Sequence, residues 1–139
     1  MTAQEELLRD LHNLPLDREA VRMMQEDIAR ITEDEAKKGL PADQRKALKN
    51  ERLKLEASLS ATVSHIGRIE RLLALLSPEE QKVLEYMLIS PRPQAVFDLA
   101  AELCCETSQV YRIRARALRK LIRLRYGAGA LPAPPVRKE

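Results

Sequence analysis

At 139 residues, with a formal net charge of +3, 45% hydrophobic and 32% charged residues, the chain is the size of one domain or two small ones and has the composition of a soluble helical protein. No apolar run approaches the ~20 residues that span a bilayer, and the acidic opening MTAQEELLRD lacks the basic and apolar regions of a secretory signal, so a cytoplasmic, non-membrane protein is expected. Cys104 and Cys105 are neighbours with only His12 and His65 to join them around a metal, so they read as small apolar residues in a turn, with no metal or redox centre.

Aromatic residues are scarce and β-branched residues scattered, which predicts an all-α chain. A first short helix carries Leu7, Leu8 and Leu11 and is ended or bent by Pro15. Asp17 then caps a second helix with Val21, Met24, Ile28 and Ile31 at spacings of three and four. Lys37 and Lys38 suit its end, Gly39 its C-cap, and Pro41 prevents continuation. From about Asp43 to Leu76 runs the longest predicted helix. Its seam is Leu48, Leu55, Leu59, Thr62, Ile66, Ile69, Leu73 and Leu76, with Arg52 as a further polar position. Such a rod, about 50 Å long at 1.5 Å per residue, cannot bury its seam alone. The preceding helix is expected to fold back along its first half as an antiparallel hairpin, and a second copy to cover the rest, making residues 17–76 a homodimer interface. Gly67 reads as a hinge or as a tight helix contact.

Ser77-Pro78-Glu79-Glu80 is a strong helix start, with a serine cap, proline at the first helical position and glutamate placed for a capping box. The helix it opens reaches about Ile89 and buries Val83, Leu84, Met87 and Leu88. After Ser90-Pro91-Arg92-Pro93, a further element spans about Gln94 to Leu103, and a last helix about Thr107 to Arg125. The expected divisions are a helical hairpin or coiled-coil association region (1–76), a second helical domain (77–126) and a disordered tail (127–139).

The net charge conceals an asymmetry. From Thr107 onward there are nine Lys/Arg and one acid, whereas residues 1–106 hold fifteen bases and twenty acids. A basic C-terminal segment favours phosphate through counterion release, and an acidic helical half suits protein contacts. The segment LAAELCCETSQVYRIRARALRKL (Leu99 to Leu121) has the spacing of a helix-turn-helix. Ala100 and Ala101 supply the small surface, Leu99 and Leu103 anchor the first helix, and Val110 and Ile113 point inward from the second. Gln109, Arg112, Arg116, Arg119 and Arg123 share one face of that second helix, opposite Val110, Ile113, Ala117, Leu121 and Leu124. A recognition helix enters the major groove N-terminus first. Thr107, Ser108, Gln109 and Arg112 are therefore expected at base edges, with Tyr111, Arg116, Arg119 and Arg123 near phosphates.

From Ala74 to Arg123 the chain resembles region four of bacterial primary sigma factors. Ala115-Arg116-Ala117-Leu118-Arg119-Lys120-Leu121 is similar to that family's C-terminal signature. Leu75, Ser77-Pro78-Glu79-Glu80-Gln81 and Val83-Leu84 are similar to the helix preceding its helix-turn-helix. Where the sigma module has glycine in the turn, this chain has Cys104, which places a non-glycine residue at a left-handed position. The layout as a whole resembles phage late-gene activators of the RinA/ArpU type. The resemblance implies a sequence-specific transcription regulator of phage or prophage type that binds double-stranded DNA, and only the resemblance implies contact with RNA polymerase. Alternatives are a small terminase-like DNA-packaging protein, a sigma-like polymerase-binding factor, and a coiled-coil adaptor. A true sigma factor is disfavoured, since the chain has no room for a promoter-melting region and lacks its aromatic cluster. No phosphate-binding glycine loop, nucleophile with its base or metal-ligand set is present, so neither an enzyme nor a cofactor is expected.

Overall fold

The computed structural model describes residues 1–130, and these contain helices and turns but no strand. Five α-helices follow in order: α1 (Ala3–Glu35), α2 (Ala42–Ala74), α3 (Pro78–Leu84), α4 (Ala95–Glu102) and α5 (Thr107–Tyr126). A π-helical turn, Glu85–Ile89, extends α3, and a 3₁₀ turn, Ala128–Ala130, follows α5. That 3₁₀ turn falls at the start of the tail expected from residue 127, and the rest of that expectation, residues 131–139, lies outside the described residues. None of the helices is long and apolar enough to cross a membrane. Close contacts group the chain into two compact units, one of Leu14–Arg68 and one of Met1–Asn13 with the chain from Ile69 onward.

The predicted break at Pro15 is absent: α1 passes through it as one 33-residue helix. Pro15 removes one backbone donor and crowds the preceding turn, at a cost of about 3 kcal/mol. Leu7, Leu11 and Leu14, all at 1% exposure or less, offset it, since burying a leucine contributes about 1.5–3 kcal/mol. The same helix ends at Glu35, three residues short of the predicted Lys38, and Gly39 takes the left-handed conformation (φ +80°) inside the following loop.

Within Leu14–Arg68 the two long helices are tied in antiparallel register. Arg52 Nε donates to Glu35 at 2.6 Å, its Nη1 reaches Glu56 at 3.0 Å, and His65 lies 3.9 Å from Asp17. The polar interruption of the seam at Arg52 is thus a cross-link, while Thr62 returns its hydroxyl to the Ser58 carbonyl of its own helix. Leu48, Leu55, Leu59 and Ile66 are half-buried or buried within a single chain, whereas Leu53 and Val63, off the seam, are 46% and 49% exposed. A Cβ added to Gly67 would meet no heavy atom within 4 Å. That finding removes the tight-contact explanation for this glycine.

In the other unit, Val83, Leu99, Val110 and Ile113 form a buried cluster, with Tyr86, Met87, Val96, Ala100, Leu103 and Cys105 packed against it. Three expectations need correction. Ala101 is exposed, so Ala100 alone supplies the small surface of α4. The helix predicted to reach Ile89 loosens into a π turn, closed by Ser90 N–H donating to the Glu85 carbonyl at 3.0 Å. Pro91 and Pro93 can neither donate nor continue a helix, and Ile89 takes the buried place expected for Leu88. On α5, Leu124 is 46% exposed, while Leu118 and Ile122 are buried. The buried face turns toward 118 and 122 because the start of α1 belongs to this unit: Asp10, itself buried, sits 2.6 Å from Arg125, and Glu6 lies 3.6 Å from it.

The turn after α4 is built from two backbone bonds, Cys105 N–H to the Ala100 carbonyl (3.0 Å) and Cys104 N–H to the Ala101 carbonyl (3.4 Å). This is the Schellman closure, whose first residue beyond the cap must be left-handed. Cys104 fills that place with φ +52° and is exposed, while Cys105 packs on the core.

Two substitutions test these assignments. Cys104→Gly relieves the left-handed strain and should leave stability unchanged or raise it by up to about 1 kcal/mol in denaturant melts; a loss above about 1 kcal/mol would show that the thiol packs. Gly67→Ala, with open space around the new methyl, should add about 0.5–1 kcal/mol, and destabilisation would restore the tight contact.

Candidate nucleic-acid interface

The candidate interface begins at a serine. Ser77 takes an extended conformation, accepts the Glu80 N–H at its Oγ (3.2 Å), and gives its own N–H to Glu80 Oε1 (3.0 Å), closing the expected capping box with Pro78 at the first helical position. A capping glutamate is ordinarily a surface residue, yet Glu80 is only 1% exposed. Its carboxylate faces α5, receiving Lys120 Nζ at 2.8 Å and Arg116 Nε at 3.3 Å, with Glu79 3.9 Å from the same guanidinium. Burial pushes the Glu80 carboxyl up, but the Lys120 ammonium and the Ser77 amide and hydroxyl outweigh it and hold it at about 2. One side chain therefore caps α3 and fixes the middle of α5 against it.

α5 divides its cations accordingly. Arg116 and Lys120 are drawn to the carboxylates of α3, and Arg125 to Asp10 and Glu6. Arg112, Arg119 and Arg123 are exposed, and none of the ion pairs of α5 among the described residues involves them. Of the expected site residues, Thr107 and Ser108 are exposed at the first turn of α5, Gln109 is half-buried, and Tyr111 is 53% exposed. The stripe expected from helical spacing exists on the surface of α5, with Arg116 engaged by α3 in place of standing free.

A second feature adjoins the start of α5. An open groove of about 370 Å³ lies between the π turn, the N-terminal end of α4 and the first turns of α5, lined among others by Tyr86, Met87, Arg92, Phe97, Thr107 and Tyr111. Its wall is braced: Tyr86 donates its hydroxyl to Glu102 (3.1 Å), Lys82 pairs with the same carboxylate (2.9 Å), and Arg92 lies over the Tyr86 ring at 3.3 Å from its centroid. The Lys82 ammonium, helped by the Tyr86 hydroxyl, holds the Glu102 carboxyl below its ordinary value. Phe97 and Arg92 were not among the expected site residues. The signal for Phe97 was present in the spacing, since Val96, Leu99, Ala100 and Leu103 form the inner face of α4 and leave the chain's one phenylalanine off it.

The described residues contain no cluster of three or more His, Cys, Asp or Glu side chains placed to hold a metal ion. Comparison with protein-family models, with curated proteins and with solved structures finds no match to this chain.

The Glu80 assignment carries a pH dependence. The folded chain binds that proton less readily than the unfolded chain, so the carboxylate's stabilisation is complete above about pH 4.5 and is lost as pH falls toward about 2. Glu80→Gln keeps a capping side chain but removes the charge. It should cost about 2 kcal/mol at pH 7, reduced by the solvent around Lys120 and Arg116, and should flatten the acid limb of stability between those values. Equal acid sensitivity in both proteins, measured by melts against pH, would contradict the assignment.

Proposed function

We propose that this chain is a sequence-specific double-stranded DNA-binding protein that acts as a transcription regulator, with α5 as its recognition helix, and that it is a binding protein and not an enzyme. The observation that carries the reading is the division of α5. Val110, Ile113, Ala117 and Leu121 are buried, while Arg112, Arg119 and Arg123 stand exposed on another face. A helix anchored on a core and presenting cations outward suits insertion into a phosphate-lined groove. The closed turn at Cys104 between α4 and α5 supports a helix-turn-helix, and the resemblance of residues 74–123 to sigma region four supports a regulator of the phage late-gene type. Contact with RNA polymerase, and self-association through residues 17–76, belong to the same proposal. The exposed Met23, Leu53 and Val63 supply apolar surface for a second copy.

In this reading Thr107, Ser108, Gln109 and Arg112 face base edges, with Arg112 placed for paired hydrogen bonds to a guanine. Tyr111, Arg119 and Arg123 lie nearer the phosphates, and Arg116 contributes less than its position in the stripe suggests because Glu80 and Glu79 already neutralise it.

Duplex binding of three variants tests this. Arg112→Ala should cost about 1–3 kcal/mol on a selected site and little on random DNA. Arg119→Ala should weaken both equally and lower the salt slope by about one, and Arg116→Ala should lower it by clearly less. Equal losses for Arg112→Ala on specific and random duplexes would refute the base-reading assignment, and no binding of any duplex at low salt would refute the function.

A further inference from the structure

The chain holds three tyrosines, one phenylalanine and no tryptophan, and three of these four aromatics, Tyr86, Phe97 and Tyr111, line one groove beside the start of α5. Core packing accounts for Tyr86 but not for the other two. Phe97 is 67% exposed and Tyr111 53% exposed, and neither points into the cluster of Val83, Leu99, Val110 and Ile113. The groove also carries a positioned cation, because Arg92 lies over the Tyr86 ring and its backbone N–H donates to the Tyr86 carbonyl at 3.2 Å. Next to it, Gln94 holds a left-handed backbone (φ +58°) at the cap of α4. No carboxylate lines the groove.

An occupant that matches this lining is apolar where it meets the aromatic rings and anionic where it meets Arg92. Within the major groove the one apolar base-edge group is the 5-methyl of thymine, and the strand that carries it supplies the phosphate. We propose that the aromatic groove is a thymine-reading site, in which Phe97 and the Thr107 methyl receive the 5-methyl group, with the Tyr111 ring as a side wall whose hydroxyl stays toward the backbone, while Arg92 takes a phosphate of the same strand. This rests on the DNA-binding reading of α5 and extends it to a second element, since Arg92 and Phe97 lie outside the recognition helix. Arginine at 112 and the aromatic groove would then read neighbouring positions, one by hydrogen bonds and one by apolar contact.

The test compares the full chain on two duplexes that differ only in the methyl group, alternating dA-dT and alternating dA-dU, by fluorescence anisotropy at low salt. The thymine duplex should bind about four-fold more tightly, the equivalent of one methyl group removed from water. Phe97→Ala, at an exposed position that thermal melts should show to be folded, should erase that ratio. Arg92→Ala should weaken both duplexes by the same factor and keep the ratio. Equal binding of the two duplexes by the unaltered chain, or an unchanged ratio in Phe97→Ala, overturns the proposal while leaving α5 as a DNA-binding helix; the groove would then serve another partner, such as a protein. Tighter binding of single-stranded oligo-dT, which cannot pair with itself, than of either duplex also overturns it. Binding to neither duplex overturns the DNA reading and this proposal together.

Discussion

The carboxylate of Glu80 is the point on which the C-terminal unit turns. It is buried, it closes the capping box of α3, and it holds Lys120 and Arg116 of α5. A charge removed from water is tolerated only when its lone pairs are filled and an opposite charge lies close. Glu80 meets both conditions through groups that come from two helices separated by about 40 residues. The consequence is geometric. With Val110 and Ile113 in the core on one side and the two cations tethered on another, the rotation of α5 about its own axis is fixed, and with it the direction in which Arg112, Arg119 and Arg123 point.

The same arrangement explains how a segment so rich in like charge is accommodated. Three of its cations meet carboxylates: Arg116 and Lys120 meet Glu80, and Arg125 meets Asp10 and Glu6 from the first turns of α1. Arg112, Arg119 and Arg123 face outward without such a partner, and the half-buried Arg114 keeps its Nε out of water with no hydrogen bond. Paired and outward-facing cations are thereby interleaved along one helix, and the salt response of any phosphate binding is expected to follow the second group.

Much of this was legible in the sequence. The all-helical class, the capping box at Ser77–Glu80, the left-handed turn at Cys104 and the inward pair Val110 and Ile113 all follow from local rules of spacing, caps and turn closure, and all are present. What local rules missed depends on partners distant in the chain. Pro15 does not break α1, because the leucines at 7, 11 and 14 in the turns before it are buried, which spacing within the helix does not by itself reveal. The inner face of α5 includes Leu118 and Ile122 and not Leu124, because Asp10 and Glu6, more than 100 residues earlier, bind Arg125 beside them. Arg116 looked like one member of an even stripe, since nothing in the spacing of α5 reveals that a capping glutamate of α3 reaches it. The groove escaped notice for a related reason: its aromatics come from three separate elements, and only the phase of Phe97 on α4 hinted at an outward role.

The most direct measurement is the titration of the Glu80 side-chain carboxyl, followed by its carbonyl carbon resonance in the intact chain as pH is lowered. A carboxylate held by Lys120 and the Ser77 cap should titrate at about 2, well below the ordinary value of 4.5. A midpoint at or above 4.5 would mean that the carboxylate is not paired with α5, and the orientation of the arginine face would lose its anchor.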